Sequence, residues 1–269
     1  MTVGDWLVYA REELKSDPDA QACAVWICEE VLGIPRSRLR LMRDEHLSPE
    51  QSGRLEAALD RRKSGEPVQY IFSRAPFMGF EFFVDGRVLI PRMDTEVLCD
   101  AAANYMKEKT RASVLDLCAG SGAIGISLAR MFPGARVALS DISPDASDVQ
   151  RINAQGAPNV EILTGDMFET VAGRVFDIIT CNPPYIRSSD MDGLQREVRM
   201  EPALALDGGA DGLDFYRLLS REYRKFLRPG GRIYMEIGWD QADDVCALFE
   251  NARVIRDLNG LDRVIWTEV

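Results

Sequence analysis

Val114-Leu-Asp-Leu-Cys-Ala-Gly-Ser-Gly-Ala-Ile-Gly125 is a short apolar run followed at once by Gly120, Gly122 and Gly125 in G-x-G-x-x-G spacing. Ile126 to Met131 continues at helical spacing, so the stretch predicts a strand, a tight turn and a helix. Glycines at such a turn let a ligand approach the backbone at a helix N-terminus, at the carboxyl end of a sheet. The reading implies a nucleotide-like ligand. Asp141 strengthens it, because it ends the next apolar run, Arg136 to Ser140, where a carboxylate can accept hydrogen bonds from both ribose hydroxyls.

The same spacing serves dinucleotide-binding dehydrogenases, and Asp116 separates the two readings. A carboxylate beside the loop repels a pyrophosphate but suits the ammonium group of a methionine-like moiety. The resulting D-x-x-x-G-x-G pattern resembles the Rossmann-like S-adenosylmethionine-dependent methyltransferases. That resemblance implies that Gly165-Asp166-Met167-Phe168, after the third apolar run, lies where such enzymes hold adenine.

Outward from the loop, helical stretches alternate with short apolar runs at Val114–Leu117, Val137–Leu139, Val160–Leu163, Phe176–Thr180 and Ile233–Ile237. This alternation predicts an α/β fold with a mostly parallel, doubly wound sheet. Arg253 to Asp257 and Arg263 to Thr267 flank Asn259-Gly260, which predicts a terminal antiparallel hairpin and brings the sheet to seven strands. Upstream, Phe80, Phe82 and Val84 alternate before Asp85-Gly86, with Val88 and Ile90 beyond, which reads as a connecting hairpin. The first part of the chain reads as helices. Trp6, Leu7, Ala10 and Leu14 are helically spaced, Asp17-Pro18 reads as a cap with proline at N1, and Ser48-Pro49-Glu50-Gln51 reads as a capping box. The expected division is a helical domain over 1–72, a hairpin linker over 73–93 and a catalytic domain over 94–269.

Asn182-Pro183-Pro184-Tyr185 follows the apolar run Phe176 to Cys181, at a strand end where α/β sheets keep their chemistry. Prolines lack an N–H, so a rigid loop here can present the Asn182 side-chain oxygen and the Pro183 carbonyl as paired acceptors for one planar NH₂. A planar nitrogen is a poor nucleophile because its lone pair is delocalised. Two hydrogen bonds orient it and raise its electron density, while Tyr185 can cover the flat group or lie near a sulfonium. In-line methyl transfer then depends chiefly on positioning. The motif alone allows two substrates, the exocyclic amine of adenine in nucleic acid and the side-chain amide of glutamine in a protein.

Charge bears on that choice. The 269 residues carry 32 Lys and Arg against 43 Asp and Glu, a net charge of −11, which opposes bare nucleic acid as the direct partner. The six cysteines form no Cys-x-x-Cys pair, which argues against zinc and disulfides, and the only histidine is His46, so chemistry downstream proceeds without a histidine base. No apolar run reaches the ~20 residues of a membrane span and the start lacks a signal-peptide layout, so the expectation is a soluble, cytoplasmic protein. Cys181 reads as a buried small residue, and Arg36, Arg38, Arg40 and Arg43 as a solvated face.

Over almost its whole length the chain resembles the HemK/PrmC release factor glutamine methyltransferases. The matching pieces are the helical N-terminal part, Pro67-Val-Gln-Tyr-Ile71, Phe80-Glu-Phe-Phe-Val84, Leu89-Ile-Pro-Arg-Met-Asp-Thr-Glu96, the glycine loop, Asn182 to Tyr185, Glu201 to Gly209, and Glu236-Ile-Gly238. The resemblance implies methylation of the glutamine amide nitrogen in the Gly-Gly-Gln loop of bacterial class I release factors, with S-adenosylhomocysteine as product. It also implies that the helical domain and the hairpin help to dock the protein substrate. Carried over by motif, Asp116, Cys118, Ala119, Gly120, Ser121, Gly122, Asp141, Asp166, Met167 and Asn182 would serve the cofactor, and Asn182, Pro183, Pro184 and Tyr185 the glutamine. Glu201 and Asp207 would order the loop over the substrate. The chain departs from the family pattern at Met93, at Cys118-Ala119 and at Met167. The competing readings are an adenine N6-methyltransferase and a non-catalytic cofactor-binding adaptor.

Overall fold

A computed structural model describes residues 1–109 and 111–269. The chain divides into two units, residues 1–73 with 196–200, and residues 74–195 with 201–269.

The first unit is helical: α1 (Val3–Glu13), α2 (Ala20–Leu32), α3 (Arg36–Leu39), α4 (Pro49–Lys63) and α5 (Val68–Ile71). Trp6, Ala10, Ile27, Cys28, Leu55 and Leu59 form its core. α4 starts as the sequence predicts: Ser48 Oγ accepts from Gln51 N at 3.1 Å and Gln51 Oε1 accepts from Ser48 N at 2.9 Å. α2 does not. It begins at Ala20, and its cap residue Asp19 makes no side-chain cap bond. Asp17 serves two partners: its Oδ1 accepts from Asp19 N at 2.9 Å across Pro18, in the turn before the helix, and its Oδ2 accepts from Arg62 Nε at 2.8 Å, while Arg62 also pairs with Glu197. A buried guanidinium must be compensated, and the second oxygen of Asp17 does so while the first holds the turn.

The second unit opens with a hairpin, β1 (Ala75–Phe77) and β2 (Phe80–Phe82). Its turn is Met78-Gly79, both at positive φ, rather than Asp85-Gly86. Val88 and Ile90 are buried but form no strand, because the Ile90 N–H donates to Glu201 Oε2 at 2.9 Å and needs no strand partner. Phe77 and Phe82 meet edge to face inside this unit's core, so the residues read as a linker pack with the sheet unit.

The elements that follow are α6 (Glu96–Met106), β3 (Ser113–Leu117), α7 (Ala123–Met131), β4 (Arg136–Asp141), α8 (Pro144–Asn153), β5 (Val160–Thr164) and β6 (Phe176–Cys181), then α9 (Asp214–Glu222), β7 (Leu227–Glu236), α10 (Ala242–Cys246), β8 (Arg253–Arg256) and β9 (Asp262–Glu268). The sheet order is β5-β4-β3-β6-β7-β9-β8, parallel throughout except that β9 runs against both β7 and β8. Side chains alternate between faces as period two requires. Val114, Ile178 and Leu139 join α6 and α7 on one side, while Leu115, Leu117 and Ile179 join α9 and α10 on the other. Because β4 lies on one side of β3 and β6 on the other, the connections leaving β3 and β6 diverge. A crevice opens there, at the switch point where open α/β sheets bind ligands.

Candidate active site

The crevice holds a cavity of about 420 Å³ at the carboxyl ends of β3, β4 and β6. Of the residues the sequence singles out, Cys118, Gly120, Asp141, Asp166, Met167, Asn182 and Pro184 line it. Asp116, Ala119, Ser121, Gly122, Pro183 and Tyr185 are not among the residues that line it.

Asp116 is the clearest departure. It is fully buried, with Oδ2 accepting from Gly125 N at 2.9 Å and Oδ1 from Thr180 Oγ1 at 2.8 Å. Burial pushes its carboxyl up to about 7, against the pull of those two bonds. A carboxylate so enclosed holds the glycine loop rather than meeting an ammonium group directly. The loop needs its third glycine for space, since a Cβ on Gly125 would strike the Leu139 side chain and come within 3.1 Å of the Asp116 Cβ.

The rest of this wall is built from backbone donors around Asp141. Its Oδ2 accepts from Gly120 N at 2.8 Å and its Oδ1 from Ser143 N at 2.9 Å. Each oxygen keeps a second lone pair for a ligand. A Cβ built on Gly120 would meet nothing within 4 Å, so the space before the loop is open. Cys118 (φ +53) and Met167 (φ +39) both adopt left-handed backbone, and their sulfurs lie 3.6 Å apart, so two of the departures from the family pattern touch. Cys181 is wholly buried, and its thiol is held well above its ordinary range by desolvation and by Cys118 beside it. A thiol held protonated in this way is inert.

Asn182 leaves β6 into the cavity wall. Its Nδ2 donates to Thr95 Oγ1 at 3.4 Å, which leaves Oδ1 as its acceptor without a partner among the described residues. Pro183 and Pro184 are buried beside it. The Tyr185 hydroxyl donates to Glu236 Oε1 at 3.3 Å, and its carbonyl accepts from Gln241 Nε2 at 3.1 Å. Gly208 presses on this motif so closely that a Cβ would come within 2.7 Å of the Pro184 oxygen. The segment carrying Gly208 is pinned at both ends. Asp207 Oδ1 accepts from Ser188 Oγ at 2.7 Å and from Gly209 N at 2.9 Å, and Glu201 pairs with Arg92.

Sequence reasoning missed Thr95, Gln241, and Phe215 and Leu218, which line the apolar part of the cavity. The last two repeat at i, i+3 on α9, a spacing that reads as core, and here it faces the cavity instead. Glu236 carried only a motif match and no assigned role.

Residues 5–72 match the PrmC N-terminal domain and residues 95–201 the methyltransferase small domain. The release factor glutamine methyltransferase of Moorella thermoacetica is 41% identical over 254 residues, 91% of this chain and 88% of its own. The chain belongs to the release factor glutamine methyltransferase family. Relatives of the same name in Clostridium acetobutylicum (43% identical, 77% of this chain and 76% of its own) and Geobacter sulfurreducens (40%, 89% and 86%) extend the family match. Among solved structures, the T. Thermophilus 16S rRNA N2 G1207 methyltransferase, in complex with AdoMet and guanosine, superposes with a TM-score of 0.53. It is 22% identical and covers 72% of this chain and 49% of its own. The hMettl16 catalytic domain gives the same score at 12% identity, covering 81% of both chains. These likenesses show a shared methyltransferase fold. Among the described residues no helix is long and apolar enough to cross a membrane.

Proposed function

We propose that this chain transfers a methyl group from S-adenosylmethionine to the side-chain amide nitrogen of the Gly-Gly-Gln glutamine in bacterial class I release factors. The observation that carries the reading is Asn182, whose Nδ2 is committed to Thr95 so that Oδ1 is left to accept. With a proline carbonyl beside it, this oxygen grips both hydrogens of a planar amide and points the nitrogen's lone-pair axis at the donor carbon.

The residues present fit the methyl donor. Asp141 offers its remaining lone pairs to ribose hydroxyls, Gly120 leaves open space at the loop, and Met167 and Ile142 supply apolar wall for a purine. When bound, the cofactor supplies an electrophilic methyl on a sulfonium, and S-adenosylhomocysteine remains. Asn182 and Pro183 hold the amide during transfer, and no group needs to remove a proton beforehand.

The substrate for which the family's members are named and the chain's net charge of −11 both favour a protein amide over an adenine amine in nucleic acid. The helical unit is proposed to dock the factor. Arg36, Arg40 and Arg43 stand exposed around a cavity of about 300 Å³ with no acidic partner among the described residues, a surface suited to an acidic face. The proposed place of action is the cytoplasm, where peptide release occurs.

The test is incubation with labelled S-adenosylmethionine and three acceptors: the release factor, the factor with its glutamine replaced, and unmodified DNA or RNA. Label on the intact factor alone supports the proposal. Label on nucleic acid would establish the adenine reading instead.

A further inference from the structure

Glu236 ends β7 behind the Asn182 motif, 2% exposed, and its Oε2 has no partner in hydrogen-bond geometry among the described residues. A carboxylate oxygen left so in the interior is costly unless the charge has a use. Its Oε1 accepts from the Tyr185 hydroxyl, and the Thr95 hydroxyl stands near enough to favour the ionised form. Thr95 is itself buried and accepts from Asn182 Nδ2 at 3.4 Å. Three segments distant in sequence thus meet behind the motif, with Asn182 bonded to Thr95, Tyr185 bonded to Glu236, and the Thr95 hydroxyl beside the carboxyl whose Oε2 is open to it.

We infer that Glu236 and Thr95 are positioning residues that decide which end of the Asn182 amide faces the substrate, with Glu236 acting as the anionic terminus of this cluster. The inference rests on the amide-methylating reading above. An ionised Glu236 can only accept, so it draws the Thr95 hydrogen to itself. The Thr95 oxygen is then free to accept from Asn182 Nδ2, and Oδ1 is the atom presented to the cavity. A protonated Glu236 becomes a donor, and a second order becomes available. In it Glu236 donates to Thr95, Thr95 donates to Asn182 Oδ1, and Nδ2 turns to the cavity. That order sets an NH₂ against the substrate's own NH₂ and abolishes the grip.

Burial pushes the Glu236 carboxyl up to about 7, opposed first by Thr95 and then by Arg263 and Tyr185. The charged and titratable groups facing it are Arg263 on β9, Asp94 before α6 and Tyr185 after β6, while Tyr216 on α9 donates to its main-chain oxygen at 2.7 Å. Arg263 is shared with Asp94 and Asp257, each at 3.2 Å, so its charge compensates Glu236 only in part. The working form is the ionised one, and turnover falls as pH drops through this range.

The experiment measures kcat and KM for the release factor from about pH 6 to about pH 8, with cofactor affinity by calorimetry and thermal melting to check folding. The variants are Thr95→Val, Thr95→Ser, Glu236→Gln and wild type. The expected result for Thr95→Val is a kcat lowered by roughly 100-fold with cofactor affinity kept, since a misplaced amide is a positioning fault. Thr95→Ser restores most of it. Glu236→Gln, which can donate and so admits the wrong order, is expected to lose both kcat and the acid limb of the profile. A wild-type kcat in Thr95→Val, or an unchanged acid limb in Glu236→Gln, overturns the inference and leaves the functional reading intact. Failure of the wild type to label the factor's glutamine would overturn both.

Discussion

The loops after β3 and β6 leave neighbouring parallel strands at the same end of the sheet with opposite backbone chemistry. After β3, glycines expose N–H groups: Gly120 N and Gly125 N donate to Asp141 and Asp116 at 2.8 and 2.9 Å. After β6, two prolines remove N–H groups, and what remains to offer is the Asn182 side-chain oxygen and a carbonyl. One wall is thus shaped around two carboxylates, of which Asp141 is the one proposed to serve a hydroxyl-rich nucleoside, and the other is proposed to accept from an amide. The lesson is a division of labour: damage to the first wall should weaken the cofactor, and damage to the second should slow the transfer.

The largest expected effect lies on the accepting wall. Asn182→Ala should lower kcat by about 100- to 1,000-fold, the loss typical when one preorganised hydrogen-bonding group is removed from a reacting centre. Cofactor affinity, measured by calorimetry, should be largely spared. Equal losses in both quantities would break the division. On the donating wall, Gly125→Ala should do the reverse. Its Cβ would press on Leu139 and on the Asp116 Cβ 3.1 Å away, an overpacking of roughly 1 to 3 kcal/mol. Weaker cofactor binding and a lower melting temperature should appear before any loss of kcat at saturating cofactor.

Asp116→Asn sharpens the comparison through pH. Burial raises the folded carboxyl to about 7 from an ordinary value of 3.8. The folded state therefore binds the proton more tightly, and the stability linked to this group is fully present below about pH 4 and lost as pH rises towards about 7. Glu236, raised to about 7 as well, adds a second fall over the same window. Asparagine keeps an acceptor for Gly125 N but cannot ionise, so the melting temperature of the variant relative to wild type should climb from about pH 4 to about pH 7 and level off above. A difference that stays constant with pH would show that the carboxyl is ionised at no cost.

What could be read in advance follows from the range of each interaction. Strand alternation, the Ser48 capping box and the terminal Asn259-Gly260 turn are set by neighbours in the chain, and all appear in the structure. The misread elements were decided by partners far away. Arg62 engages the second oxygen of Asp17 ahead of α2, and Glu201 supplies the hydrogen bond that a second hairpin arm would have given Ile90. The site divides in the same way. Asp141 and Asn182 announce themselves by motif and strand position, whereas the burial of Asp116 and the meeting of Thr95 with Asn182 depend on packing between segments that spacing does not connect.

The smallest expected effect concerns Cys118, where the donating wall carries a residue its backbone disfavours. At φ +53 a side chain costs about 1 kcal/mol, and glycine would relieve it. Two losses oppose that gain. Glycine frees the unfolded chain by about 0.4 to 1 kcal/mol, and the sulfur contact with Met167 at 3.6 Å disappears from the cavity wall. Cys118→Gly should therefore change stability by less than about 1 kcal/mol in a denaturant melt, with kcat unchanged because the accepting wall is untouched. A loss beyond about 2 kcal/mol would show that the loop is held by the Cys118–Met167 packing more than by its glycines.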